Sequence, residues 1–173
     1  MKQSNFVHLH VHSQYSLLDG ACRIQDLVNK AVAYDMPAVA ITDHGNIFGT
    51  IEFYKAATKA GIKPIIGCET YIAPGSRLDK TPRNKNAHHL VLLAKNETGY
   101  RNLLKLVSSA YIDGFYYSPR MDKELLAAHS KGLLATSACI KGEVAQHVIQ
   151  GNYNAALKTA DEFRQIFGTG NFY

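Results

Sequence analysis

The spacing of apolar and polar residues changes period repeatedly along the chain, and each change marks a predicted element. Residues 6–12 alternate and predict a first strand. Leu27, Val28, Ala31 and Val32 form a helical stripe over residues 25–34, and Pro37 closes it. Residues 38–42 are a short apolar run suited to a buried parallel strand. Residues 47–60 read as a helix stopped by Gly61. Residues 64–72, with Ile65, Ile66, Tyr71 and Ile72, predict a strand, as do residues 90–94. Asn96 is placed to cap a helix reaching about Ala110, and Asp122 to cap a short one ending near Gly132. Residues 133–136 predict a strand, residues 143–149 and 153–167 predict helices, and residues 171–173 open one more strand.

This alternation of strands and helices predicts a parallel α/β architecture, either a barrel or an open sheet. With 173 residues the chain can bury the core of one domain. The stretch 74–86 holds Arg77, Lys80, Arg83 and Lys85 between turn formers and predicts a flexible basic loop. No apolar run approaches the roughly 20 residues of a membrane span, and the first residues lack the layout of a signal peptide. A cytoplasmic protein with no membrane partner is the expectation. The three cysteines, Cys22, Cys68 and Cys139, are odd in number and far apart, so no disulfide framework is expected. A net charge of +5 favours anionic partners such as nucleic acid or phosphate esters.

The chemistry enters with His8, His10 and His12, which alternate within the first predicted strand. On a strand they would line one face, about 7 Å apart. Each imidazole carries two polar nitrogens that need partners, and a metal ion supplies one. Other candidate ligands fall at predicted strand ends, where parallel α/β folds place their sites. Asp19 follows the first strand, Asp43 and His44 the second, and Cys139 the fifth, while Glu69 lies in the third. His88 and His89 begin their strand and fit this scheme less well. Singly, Asp43 could be a helix cap, Glu69 an ion-pair partner and Cys139 a core residue. His129 and His147, on predicted helices, read as ordinary residues. Jointly, imidazole, carboxylate and thiolate suit zinc, manganese or iron better than magnesium or calcium. Seven ligands exceed the four of one zinc site, so two or three divalent ions sharing carboxylates are expected.

These motifs carry a family resemblance. His10-Val11-His12, Ser16 and Asp19-Gly20 resemble the first motif of the polymerase-and-histidinol-phosphatase (PHP) superfamily. Residues 8–20, 40–45, 61–69 and 96–103, with Gly114-Phe115-Tyr116-Tyr117 and Ser137-Ala138-Cys139, look more specifically like the N-terminal PHP domain of bacterial DNA polymerase III alpha subunits. The resemblance implies a distorted seven-stranded (β/α) barrel with a three-metal cluster. It places metal ligands, and so the catalytic positions, at His10, His12, Asp19, His44, Glu69, His89 and Cys139, with Glu69 bridging. His8, Asp43 and Ser16 are expected just behind the ligands.

The family pattern also has an Asp-x-His pair that is absent after Cys139. Residues 1–173 are therefore expected to be one incomplete PHP domain, two ligands and its closing strands short, from a larger polymerase subunit, a nucleotidyltransferase. The implied activity is metal-dependent 3′→5′ proofreading exonuclease action. The implied partners are the DNA primer 3′ end, the rest of the subunit and other replisome subunits. Arg77, Lys80, Arg83 and Arg120 are candidate phosphate contacts, and Tyr15 and Tyr116 candidate stacking residues. Two alternatives stay open: a stand-alone phosphatase acting on a small molecule such as histidinol phosphate, and a non-catalytic scaffold for a separate proofreading subunit.

Overall fold

The structure, a computed structural model, describes residues 4–173. In chain order the elements are α1 (Ile24–Ala33), β1 (Ala38–Ile41), α2 (Thr50–Lys59), β2 (Lys63–Ile72), a 3-10 turn (Pro82–Asn84), β3 (His88–Ala94), α3 (Glu97–Ile112), β4 (Arg120–Met121), α4 (Lys123–Ala128), β5 (Leu133–Thr136), α5 (Glu143–Ile149) and α6 (Tyr153–Phe167). Local chemistry accounts for several boundaries. The Asn96 side chain accepts from Gly99 N and starts α3. Asp122 accepts from Leu125 N and starts α4, and Asn152 accepts from Ala155 N to start α6. None of the helices described is long and apolar enough to cross a membrane.

The sheet is mixed and open, which corrects the all-parallel expectation. Its path is β1-β2-β3-β5, with β4 also pairing β2. β1 and β4 run parallel to β2, whereas β3 runs antiparallel to both β2 and β5. A bridge from Ala135 to Phe172 continues the sheet one step past β5. No closed barrel is formed among the described residues.

The first predicted strand is not a regular one. Residues 6–12 lie along β1 but hold it at two points only: Ala40 N donates to His8 O (2.9 Å) and Thr42 N to Val11 O (2.8 Å). Two steps along β1 thus match three along the N-terminal segment. The extra residue acts as a bulge and shifts the side chains that follow to a new alternation.

Alternation in the strands separates two faces. Val39, Ile41, Leu90, Leu92, Leu133 and Ala135 are buried under the helices. They pack with Ile24, Val28 and Phe53 at one end and with Leu103, Leu106 and Phe163 at the other, and Ile66 joins both groups. The intervening residues Ala40, Val91 and Leu93 form a small cluster on the opposite face with Ile65 and Leu134. All core-forming helices therefore cover one face, and the site lies at an end of the other.

The basic loop is more ordered than its composition predicts. Asn84, buried, accepts from Gly75 N and donates to Ser76 O and Asp79 O. Beneath it Arg120 is fully buried on β4, a strand missed in the sequence. Its guanidinium donates to the carbonyls of Gly114, Asn84, Arg77 and Asp79. Arg120 is thus spent on loop carbonyls, which corrects its expected role as a phosphate contact.

Candidate metal centre

Glu69 stands at the middle of the site. It projects from β2, paired across the sheet with Val91, and is 2% exposed. Four imidazoles converge on its carboxylate. His10 Nε2 and His12 Nε2 meet Oε2, the latter at 3.0 Å. His89 Nδ1 and His44 Nδ1 meet Oε1, the latter at 3.3 Å. His10 and His12 lie side by side, their Nε2 atoms 3.0 Å apart. His44 Nε2 reaches Asp19 Oδ2 at 3.1 Å, and Cys139 Sγ lies 3.6 Å from His89 Nδ1.

The antiparallel course of β3 explains His89. Because β3 runs opposite to β2, its first residues sit at the same sheet end as the last residues of β2 and β5. His89 therefore joins the site from the start of its strand, cross-strand from Tyr71.

Asp43 fixes the loop that carries three of these donors. It is 1% exposed and accepts from Ser13 N (2.6 Å), Ser13 Oγ (2.8 Å) and Ser16 Oγ (2.7 Å). Ser16 Oγ in turn accepts from His44 N at 3.1 Å. One buried carboxylate thereby ties residues 13–16, which join His10 and His12 to Asp19, to the turn that bears His44. Ser13 was not singled out in the sequence, where it is one serine among many. Gly45, next to His44, has φ +62°, and a Cβ there would lie 2.8 Å from Pro119 Cγ and 2.9 Å from Tyr71 Cε2. Only glycine fits that close approach.

The donors form three overlapping groups: His10, His12 and Glu69; His12, Asp19 and His44; Glu69, His89 and Cys139. Within each, the ligand atoms lie within 4.8 Å of one another. The chemistry of the set fits divalent cations. Glu69 Oε1 and His44 Nδ1 are buried and make no hydrogen bond of acceptable geometry among the described residues. Burial alone would push the Glu69 carboxyl up, yet the imidazoles of His10, His12 and His89 hold it well below the usual carboxylate range. The hydrogen bond to Glu69 pushes the His12 imidazole up, against the opposing effect of burial. A carboxylate so surrounded favours positive charge between itself and the rings.

Beside the donors opens a cleft of about 430 Å³, lined in part by Asp19, His44 and His89. Tyr71, Tyr111, Tyr117 and Lys141 line it too. None of the four was singled out in the sequence as a site residue, because each comes from a separate stretch of chain and has no spacing signal. Burial pushes the Tyr71 hydroxyl up to about 12. The other sequence candidates are scattered. Tyr15 lines the cleft and donates to Glu52 Oε2 (2.9 Å), while Tyr116 packs under Arg120. His8 is exposed, sits edge-on to Phe6 and belongs to none of the donor groups found among the described residues. Arg77 is paired with Asp122 at 3.1 Å. Lys80 and Arg83 are exposed on the loop.

The His/Glu cluster at the end of an α/β sheet is consistent with a metal-dependent phosphoesterase site. Residues 8–173 match the PHP domain profile, and the chain belongs to the PHP domain family. Its close relatives are DNA polymerase III alpha subunits. That of Treponema pallidum (strain Nichols) is 50% identical over 175 residues, covering 100% of this chain and 15% of the relative. That of Borreliella burgdorferi is 51% identical over 173 residues, covering 99% and 15%. The Thermus aquaticus subunit is 49% identical over 169 residues, covering 94% and 14%. The chain thus spans about 15% of the length of these relatives. Among solved structures, an amidohydrolase from Chromobacterium violaceum is similar with a TM-score of 0.45 and 19% identity, covering 92% of this chain and 48% of that one.

Proposed function

We propose that this chain is the phosphoesterase region of a bacterial replicative polymerase subunit of the DNA polymerase III alpha type. In this reading it removes misincorporated nucleotides from the 3′ end of a primer. The gathering of the buried Glu69 and six further donor side chains at one site carries the proposal. The three donor groups would hold two to three divalent ions, zinc, manganese or iron, with Glu69 and His12 shared between groups. When bound, such ions supply Lewis acidity to the scissile phosphate and bring the pKa of a water toward neutrality.

The protein's own residues position the reactants. Asp43 holds the Ser13–Ser16 loop, and so His10, His12 and Asp19, in register with His44. Asp19, 61% exposed and lining the cleft, is held in place by His44 Nε2 against its Oδ2. Lys141 lines the cleft where phosphate oxygens would lie, and Lys80 and Arg83 extend positive charge along the loop.

Helix cover on one sheet face only suits a sheet that curls on itself. Residues 4–173 are then one part of a distorted seven-stranded barrel, completed by strands outside them, in a subunit that polymerises DNA with other replisome partners. In such a subunit, Asp19→Asn and His44→Ala each abolish metal-dependent removal of a mismatched 3′ nucleotide and leave polymerisation intact. Unchanged removal in both variants contradicts the proposal. Turnover of a phosphomonoester in place of an oligonucleotide would mark a small-molecule phosphatase, and a chain that holds no metal would mark a scaffold.

A further inference from the structure

Tyr117 has a positive φ of 61°, a backbone conformation that bulky L side chains rarely adopt. It is the tip of a tight turn in which Tyr116 N donates to Ser118 O at 3.1 Å. Glycine would make this turn without strain. Among the described residues, the two other non-glycine positions of this kind are Asp35 and Ala138, whose side chains are small. The strain at Tyr117 is not offset by burial, because the residue is 69% exposed. Its hydroxyl makes no hydrogen bond among the described residues. The strained residue is nevertheless part of the wall of the cleft beside the candidate metal centre. Lys85 Nζ lies 4.3 Å from its ring centroid, over one face. Strain of this sort, held where a side chain meets a ligand cleft, points to a binding role.

We infer that Tyr117 and Lys85 form a stacking step for an unpaired nucleotide of a single-stranded DNA end entering the cleft. The inference rests on the phosphoesterase reading above. An aromatic ring beside an ammonium group is the pairing that binds single strands without sequence preference: the ring meets the face of a base, the ammonium a backbone phosphate. The base takes the ring face that Lys85 leaves free. Lys80 and Arg83 continue the positive charge from Lys85 along the ordered loop, and Lys141 carries it into the cleft. The strand therefore runs from the basic loop, over Tyr117, toward Glu69.

The test is the affinity of this chain for a short 5′-labelled oligothymidine, read by fluorescence anisotropy without added metal. Tyr117→Ala weakens binding about ten-fold, while Tyr117→Phe stays within about two-fold of the parent. Lys85→Ala weakens binding and lowers the slope of log affinity against log salt by about one. An abasic strand of the same length binds parent and Tyr117→Ala equally. Tyr117→Gly separates recognition from folding: it binds as weakly as Tyr117→Ala, with a Tm equal to or above the parent's because the strain is relieved. Equal oligonucleotide binding by parent and Tyr117→Ala overturns the inference, as does failure of the parent to bind. A fall in Tm for Tyr117→Gly in step with its lost affinity also overturns it, because the ring would then be structural. The phosphoesterase reading is judged separately, by the dependence of 3′ nucleotide removal on Asp19.

Discussion

Two buried carboxylates, 26 positions apart, have different partners at the site. Glu69 is surrounded by imidazoles, whereas Asp43 takes its hydrogen bonds from a backbone N–H and two hydroxyls. Replacing Asp43 would leave those donors buried and unsatisfied. Asp43→Ala is therefore expected to lower stability by about 3 kcal/mol in urea unfolding. Ser13→Ala, which deletes one partner hydroxyl, is expected to lower it by about 1 kcal/mol. A loss below 1 kcal/mol for Asp43→Ala would show that the loop holds without it. The three histidines of the N-terminal segment divide unevenly for a related reason. His10 and His12 share Glu69, but His8 lies before the extra residue between the two contacts with β1 and belongs to none of the donor groups found among the described residues.

At the level of elements, Asp122 joins the basic loop to α4. It caps α4, accepts from Arg77 N (2.9 Å) and pairs with the Arg77 guanidinium, so it anchors the basic loop to the helix start. Burial alone would push its carboxyl up, but the two backbone donors and the guanidinium hold it below the usual carboxylate range. A depressed folded pKa means that the stabilisation is full above the unfolded value and is lost as pH falls through the folded one. Asp122→Ala is expected to cost about 2 kcal/mol at pH 6. The gap between parent and variant should close below about pH 4, in urea unfolding across that range. A gap independent of pH would place the effect in packing rather than in the charge. Element existence was legible in the sequence because the apolar periods are clear: α1, α2, α3, α6 and the strands β1, β2, β3 and β5 fall within a few residues of the expected spans. Strand direction was not, because periodicity carries no sign. His88 and His89 fit poorly only if β3 runs parallel. The two-residue β4 is invisible for another reason: three of the four carbonyls that take up its Arg120 come from 36 to 43 positions away.

At the scale of the molecule, the sheet carries its core-forming helices on one face and the candidate centre at an end of the other. Seven donors come from the N-terminal segment, the loops after β1 and β5, and the strands β2 and β3, so the fold gathers residues as far apart as His10 and Cys139. Their chemical type and approximate grouping were legible, since strand ends can be located from pattern. Their distances were not, nor was the aromatic cleft beside them, because Tyr71, Tyr111 and Tyr117 meet only through tertiary packing. Donors gathered this way would couple any metal binding to folding. An ion at about 100 times its Kd would stabilise the chain by about 2.7 kcal/mol, and a chelator would remove that increment. Anomalous diffraction from crystals of this chain grown with manganese decides whether Glu69 and the six donors gathered with it bind divalent ions. Anomalous peaks are expected within the three donor groups, at least one of them against Glu69, and are expected to be lost in Glu69→Ala. Manganese bound only elsewhere, or no peak beside Glu69 in the parent chain, would contradict it.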